Sequence, residues 1–420
     1  MPAPGDLHDL TIESVAYRGR GVARLDGWAC FVDGVAPGEQ VRVRVEKVHR
    51  NFLEARLLAV QHPSPDRIPP CCRLPSGTRV PGCVYDHLAY PAELAIKQRQ
   101  LTDFLRRLPG IGDVTLAPPS PSPLDRHYRN KIVLHAQRRP REPHPRLGYY
   151  GDDNRTIVEI PACPLARVEI NTALAAFRLG GDFRRLRPDE TVTFRWTATD
   201  GVIVWRGEHA PRQTLTEQAL CGALELPADA FYQVNPEVAT ALVRQVVEWF
   251  TASGTPATPP ATTAGTDAPR PDVLDLYCGA GVFALACAQV GGARCVAGIE
   301  AYAPALAAAR ANAARLGLSA ASFTCQTMES AAAAGFGGGA LSAATVIVDP
   351  PRQGLEPEVT RALAAARPSR IFYISCDPAT LARDLKILLP TGYTLRLARL
   401  FDMFPRTAHF ETAVWLDRLA

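Results

Sequence analysis

The sequence predicts a multidomain chain: a small N-terminal β-barrel, a central β-rich α+β domain, and a C-terminal α/β domain of the doubly wound, Rossmann-like kind. Three observations predict it. Residues 9–60 run in short alternating segments broken by Gly, Asp and Pro. Residues 126 to about 226 stay β-rich and turn notably basic. The last third alternates short apolar runs with helical stretches, the signature of a sheet covered by helices on both faces. The expected divisions are 1–62, 63–226 and 227–420.

In the first part, "VRVRV" has a strict period of two, with Val41, Val43 and Val45 on one face and Arg42 and Arg44 on the other. A five-stranded barrel fits this spacing. Residues 63–90 are Pro-rich and hold Cys71, Cys72 and Cys83. An amphipathic helix is expected over 91–108, with Leu94, Leu101, Phe104 and Leu105 facing inward. It is expected to pack on the catalytic domain. The basic stretch "YRNKIVLHAQRRPREPHPRLGYY" interleaves aromatics with Arg129, Lys131, Arg138 and Arg139, the composition of a groove for single-stranded nucleic acid. A solvated hairpin explains any one of these residues equally well. Residues 251–271 are low-complexity Ala, Thr, Pro and Gly and read as a flexible insertion.

Composition narrows the class. An odd set of 11 scattered cysteines argues against a disulfide framework and for metal, catalysis or burial. The net charge of +4 permits a nucleic-acid partner without demanding one. No apolar run is long enough to span a bilayer, and "MPAPGDLHDL" lacks the basic and apolar regions of a leader, so the cytoplasm and no membrane partner are expected.

The chemistry gathers in the last third. "DLYCGAGVFA" sets Gly279 and Gly281 between a strand and a helix, where glycine allows a tight turn and close approach to a ligand. Glu300 ends the next strand, placed to accept from ribose hydroxyls. NAD and S-adenosylmethionine (SAM) both fit these features. "VIVDPPRQGL" puts Asp349 at the carboxyl end of another strand. An Asp-Pro-Pro at this point resembles the motif common in methyltransferases that act on planar bases. "YISCDPATLARDL" puts Cys376 at the same edge, with Ser375 or Asp377 to cap the following helix and Pro378 in its first turn. The helix dipole favours a thiolate there, and the neighbouring carboxylate opposes it. If the last strand runs antiparallel, Glu411 in "HFETAVWL" starts beside Cys376. A thiolate and a base suit C5 methylation of uracil. The thiolate adds to C6 and makes C5 nucleophilic; the base removes the C5 proton.

These motifs together resemble the SAM-dependent RNA (uracil-5-)-methyltransferases. "GRGVARLDGWACFVDGVAPGEQVRVRV" is similar to a TRAM domain, an OB-like barrel, and "FYQVNPEVATAL" resembles the segment opening the methyltransferase domain. The resemblance implies Cys376 as nucleophile and Glu411 as base. It implies a SAM site from Gln233, Tyr277, Gly279, Gly281, Glu300 and Asp349. Where the family often has Asn, this chain has Val282. The rRNA-acting branch carries a 4Fe-4S cluster on C-x5-C-x2-C plus a distant Cys. Here Val80 takes the middle position, leaving Cys71, Cys72, Cys83 and the distant Cys163. A 4Fe-4S cluster, zinc on the same residues, or a relic loop without metal are the alternatives. The expectation is a monomeric enzyme making 5-methyluridine in 23S rRNA. The alternatives are a tRNA T-loop enzyme, a non-catalytic RNA-binding or assembly factor, and an NAD-dependent reductase.

Overall fold

A computed structural model describes the chain apart from residues 1, 109–110, 112–115, 140–141, 143, 209, 211–213, 254–270, 338–340, 342–343 and 420. Most of the low-complexity stretch expected as an insertion lies outside the described residues. Thr251 and Ala252, its first two positions, instead end a helix.

The first unit is β1 (Leu7–Thr11), β2 (Ser14–Val15), β3 (Gly21–Leu25), β4 (Trp28–Val32), β5 (Gln40–Val48) and β6 (Phe52–His62), in the order β1-β5-β6-β4-β3-β2. It has six strands rather than five, because β2 is a two-residue pairing with β3 that no period reveals. Along β5 the alternation holds: Val41, Val43 and Val45 are buried in the barrel core while Arg42 and Arg44 face out.

The second unit begins with α1 (Tyr90–Leu105). The helix stops before residue 108, where the following proline disfavours helical backbone. Leu101 and Leu105 are buried as the pattern predicts, with Leu94 and Phe104 packed at the margin. They join the same core as the C-terminal sheet, so α1 packs on that domain. Next come β7 (Lys131–Gln137), β8 (Arg146–Tyr150), β9 (Ile157–Glu159), α2 (Val168–Leu179), α3 (Gly181–Arg184), β10 (Thr191–Thr197) and β11 (Gly201–Arg206). The five strands form an antiparallel sheet, β11-β10-β7-β8-β9. A hairpin of β12 (Thr214–Ala219) and β13 (Gly222–Pro227) leads on to the third unit.

That unit holds α4 (Pro236–Ala252), β14 (Val273–Leu276), α5 (Val282–Gln289), β15 (Val296–Glu300), α6 (Ala303–Arg315), β16 (Ala321–Cys325), α7 (Met328–Ala333), β17 (Thr345–Val348), α8 (Pro357–Ala366), β18 (Arg370–Ser375), α9 (Pro378–Leu388), β19 (Tyr393–Phe401) and β20 (Glu411–Arg418). Its sheet runs β16-β15-β14-β17-β18-β20-β19, and β20 alone is antiparallel to its neighbours. Successive strand residues alternate between two cores: Ile347, Phe372 and Ala413 on one face, Val346, Val348, Tyr373 and Val414 on the other. Both faces are covered, so the strands read as continuous apolar runs. The order reverses between β14 and β17, which opens a crevice at their carboxyl ends.

The deepest side chains of α1 are charged. Lys97 Nζ lies 2.7 Å from Glu93 Oε1 and 2.8 Å from Asp402 Oδ1, and all three residues are fully buried. Burial alone would depress the Lys97 pKa, but the two carboxylates outweigh it. The same pocket takes Arg406, whose Nη1 donates to Leu88 O at 2.6 Å and whose other arm pairs with Asp125. Replacing Lys97 by Met strands two buried carboxylates. The expected loss is about 3–5 kcal/mol of unfolding free energy in urea titrations. A loss below about 1 kcal/mol, the range of exposed pairs, would show the network to be dispensable.

Candidate active site

The turn after β14 is shaped for close approach. Gly279 and Gly281 have φ of +53° and +84°, where a side chain would strain the backbone. Gly281 opens α5 in that conformation. Gly298 of β15 is needed for a different reason: a Cβ there would sit 2.7 Å from Cys278 Sγ. Glu300 stands behind the turn. Its carboxylate accepts from Gly279 N–H at 3.0 Å and Tyr302 N–H at 2.7 Å. Asp275 accepts from Ala284 N–H at 3.1 Å, and burial pushes its pKa far up. This acid within an otherwise apolar strand escaped the motif reading, although an Asp in "VLDLYC" was the visible signal.

Tyr277, Gly279, Gln233 and Asp349 line one cleft, together with Phe231, Tyr232 and Val282. Gln233 is brought there by the central unit: Asn130 donates to Gln233 O at 3.3 Å through its side chain and to Val234 O at 2.9 Å through its backbone. The Tyr277 hydroxyl donates to Glu356 at 2.8 Å. Burial raises the Asp349 pKa to about 7. An aromatic, acid-edged cleft over a glycine turn fits SAM. Its planar adenine suits the apolar walls, and its positive sulfonium and ammonium suit the acids. With Val282 in place of Asn, that position offers a SAM molecule only its backbone.

Cys376 and Glu411 meet at the next strand gap. Ser375, the last residue of β18, pairs with Thr412 of β20, so the antiparallel register brings Cys376 beside Glu411. Asp377, not Ser375, caps α9, accepting from Ala379 N–H at 2.8 Å and Thr380 N–H at 3.4 Å. Burial, followed by the Glu411 charge, pushes the Cys376 thiol up to about 12, and Arg352 opposes the rise. Glu411 is also shifted well above the carboxylate range. Burial leads, Asp349 adds to it, and Gln233 and Arg352 oppose it. One Glu411 oxygen, Oε2, is buried without a hydrogen-bond partner among the described residues. Arg352 sat in the quoted "DPPR" stretch, but nothing in sequence spacing marks it as facing the thiol.

The four candidate metal ligands share one core, and Cys72 touches both Cys71 and Cys83. Cys72, Cys83 and Cys163 are fully buried beside Val80, and Cys71 packs against them. Cys71 Sγ and Cys72 Sγ are 4.0 Å apart, and the Tyr149 hydroxyl donates to Cys163 Sγ at 3.5 Å. Mutual hydrogen bonding and burial raise the pKa of Cys71, and the Cys72 thiol is raised too. Among the described residues no three metal-type donors are grouped to hold an ion.

The four basic candidates differ in their surroundings. Arg129 turns inward beside Tyr128, Tyr149 and Cys163. Arg138 donates to the carbonyls of Leu186 and Arg184, and Arg139 to Gln137 Oε1 at 3.4 Å. Lys131 is partly buried, and this lowers its pKa.

A doubly wound domain with a glycine turn, an acid-lined cleft and a cysteine–glutamate pair defines the class of SAM-dependent methyltransferases acting on a base. Comparison with known proteins narrows it. Residues 225–419 match the tRNA (Uracil-5-)-methyltransferase family, and residues 4–58 match the TRAM domain. The chain is 32% identical to a 23S rRNA (uracil(1939)-C(5))-methyltransferase of Pseudomonas putida, over 97% of this chain and 93% of that one. It is 30% identical to an uncharacterized RNA methyltransferase of Gloeobacter violaceus, over 99% and 97%. Its fold is similar to that of the Pyrococcus abyssi tRNA (uracil-54, C5)-methyltransferase, with TM-score 0.71, 23% identity, and coverage of 97% and 100%. The chain belongs to the SAM-dependent RNA (uracil-5-)-methyltransferases that carry a TRAM domain. No helix among the described residues is long and apolar enough to cross a membrane.

The Asp349 shift has a testable sign. Its folded pKa lies above the unfolded value, so the acid's contribution to stability is complete at low pH. That contribution is lost as pH rises from about 4 towards about 7. Asp349→Asn removes this titration. Thermal melts across that window should show the variant gaining on the wild type as pH rises. Parallel melting curves would mean that Asp349 ionises normally.

Proposed function

We propose that this enzyme methylates C5 of a uridine in structured RNA with Cys376 as nucleophile and Glu411 as base. The observation that carries the reading is the antiparallel pairing of β18 with β20, which sets a thiol and a desolvated carboxyl side by side, next to Asp349 and Gln233 of the cleft. The target base must leave its stack to enter this gap.

The Cys376 proton must pass to solvent before addition, and the Arg352 guanidinium favours that ionisation. The thiolate bonds to C6, and the electron pair moves through C5 towards the O4 carbonyl. SAM supplies the methyl group that C5 takes up. Glu411 then receives the C5 proton, the C5–C6 double bond re-forms, and the C6–sulfur bond breaks to return the thiolate. Raised pKa suits Glu411 to this step, because a desolvated carboxylate is a stronger base. Gln233 and Asp349 hold its surroundings while also lining the cofactor cleft.

Cys376→Ala is expected to bind SAM normally and to transfer no methyl group. Methyl transfer at wild-type rate by that variant would remove the nucleophile. Glu411→Gln is expected to accumulate a covalent protein–RNA adduct, seen as a band that survives denaturing electrophoresis; recovery of free RNA alone would count against the base.

For the substrate, tRNA takes first place, with its T-loop uridine as the site. The family matching the catalytic segment bears that description. A second reading, 23S rRNA, is favoured by the name of the Pseudomonas putida relative and by the TRAM domain expected to grip RNA. Mapping 5-methyluridine in tRNA and 23S rRNA from a deletion strain decides between them. The reading favoured here requires loss from tRNA with 23S rRNA unchanged, and the reverse pattern would replace it with the second.

A further inference from the structure

The N-terminal barrel does not stop at the edge of the catalytic domain. The turn after β2 carries Tyr17 into the gap between α1, the Cys376 loop and the strand that begins at Glu411. Its ring meets Phe104 of α1 edge-on at 5.5 Å and Phe410, the neighbour of Glu411, at 6.1 Å. The turn is pinned from below, where Gln100 Nε2 donates to the carbonyls of Val15 at 3.1 Å and Ala16 at 2.9 Å. Arg18 follows in the left-handed region, with φ of +75°.

The Tyr17 hydroxyl is sealed from solvent with no well-aligned hydrogen-bond partner among the described residues. The acid that acts on it most strongly is Asp377, and the Cys376 sulfur also acts on it. Burial and then Asp377 push the phenol pKa well up, so the group stays a protonated donor. Asp377 is the residue after the nucleophile. Both of its helix-capping bonds go to Oδ1, which leaves Oδ2 for another donor. A simple packing role would need only the ring. A hydroxyl buried towards the carboxylate of the catalytic loop is costly unless it is used.

We propose that Tyr17 is a positioning residue of the active site: a hydroxyl supplied by the N-terminal barrel that holds Asp377, and through it the Cys376 loop, in the attacking geometry. The inference rests on the reading of Cys376 as nucleophile. The barrel then has two tasks. It grips RNA, and it completes the catalytic loop, so displacement of the barrel relaxes the thiol's placement. The charges facing the thiol are Glu411, Asp349, Asp377 and Arg352, which come from several elements. A small shift of the loop therefore changes every one of these distances.

The test measures bond formation to Cys376 directly. A tRNA transcript and a 23S rRNA fragment are made with 5-fluorouridine in place of uridine. After methyl transfer, C5 carries fluorine instead of hydrogen. Glu411 finds no proton to remove, and the sulfur–C6 bond persists. With full-length enzyme and SAM, Tyr17→Phe, which keeps the ring, should form this adduct about ten-fold more slowly. Its melting temperature and its affinities for SAM and RNA should be unchanged. Adduct formation by Tyr17→Phe at the wild-type rate would overturn the inference, as would an RNA affinity that falls by the same factor as the rate. Failure of the wild type to form adduct with either RNA, or formation of it by Cys376→Ala, would overturn the nucleophile reading itself and this inference with it.

Discussion

The active-site geometry depends on one buried ammonium group. Lys97 joins Glu93 of its own helix to Asp402 and to the carbonyl of Phe404 at 3.2 Å. Glu93 in turn accepts from the backbone N–H of Arg406 at 2.7 Å. The segment between β19 and β20 is thereby tied to α1, an element far away in sequence. Glu411 begins β20 a few residues later. A loop free to move at 402–410 would let that strand start in another register. The one-residue slip would turn Glu411 away from Cys376. Buried ion pairs often add little net stability over an apolar packing of the same volume. Here the network's effect is specificity: it selects one path for the chain into the last strand.

Around that path the site is dry and rich in acids. Asp275, Asp349 and Glu411 are all shifted upward, with burial as the leading cause. Cys376 shares their fate, although it lies at the start of α9. The helix dipole, worth at most about 2 kcal/mol, is smaller than the desolvation of a thiolate next to carboxylates. Burial thus favours the protonated form of each of these groups. Entry of a positively charged methyl donor alters that balance in the direction the chemistry needs.

The cysteine-rich core shows how a motif and its surroundings part company. Cys71, Cys72, Cys83 and Cys163 do share a core, as a cluster site requires. Val80, however, is 1% exposed in the same core and holds the position where the motif has its middle cysteine. Cys71 and Cys72, adjacent in sequence, bring their sulfurs to 4.0 Å instead. The basic residues teach the same lesson. Arg129 and Arg138 look like an RNA-binding run in sequence, yet one turns towards tyrosines and the other caps loop carbonyls. Charge along a chain does not report where side chains point.

The sequence by itself determined the three-part order, the doubly wound class and the glycine turn, and it singled out Gln233, Tyr277, Gly279 and Asp349, which line one cleft. These are local facts, set by periodicity, by turn residues and by the carboxyl ends of apolar strands. The tertiary structure alone decided which groups face Cys376. Arg352, Tyr17 and the Lys97 network carry no periodic signature, because each acts on a segment that sequence spacing does not place beside it. It also decided the thiol's protonation, since desolvation depends on everything packed around a group and on nothing in its immediate neighbours. A charged residue on an amphipathic helix normally marks the solvent face. Glu93 and Lys97 reverse that rule only because Asp402 and Arg406 arrive from the far end of the chain.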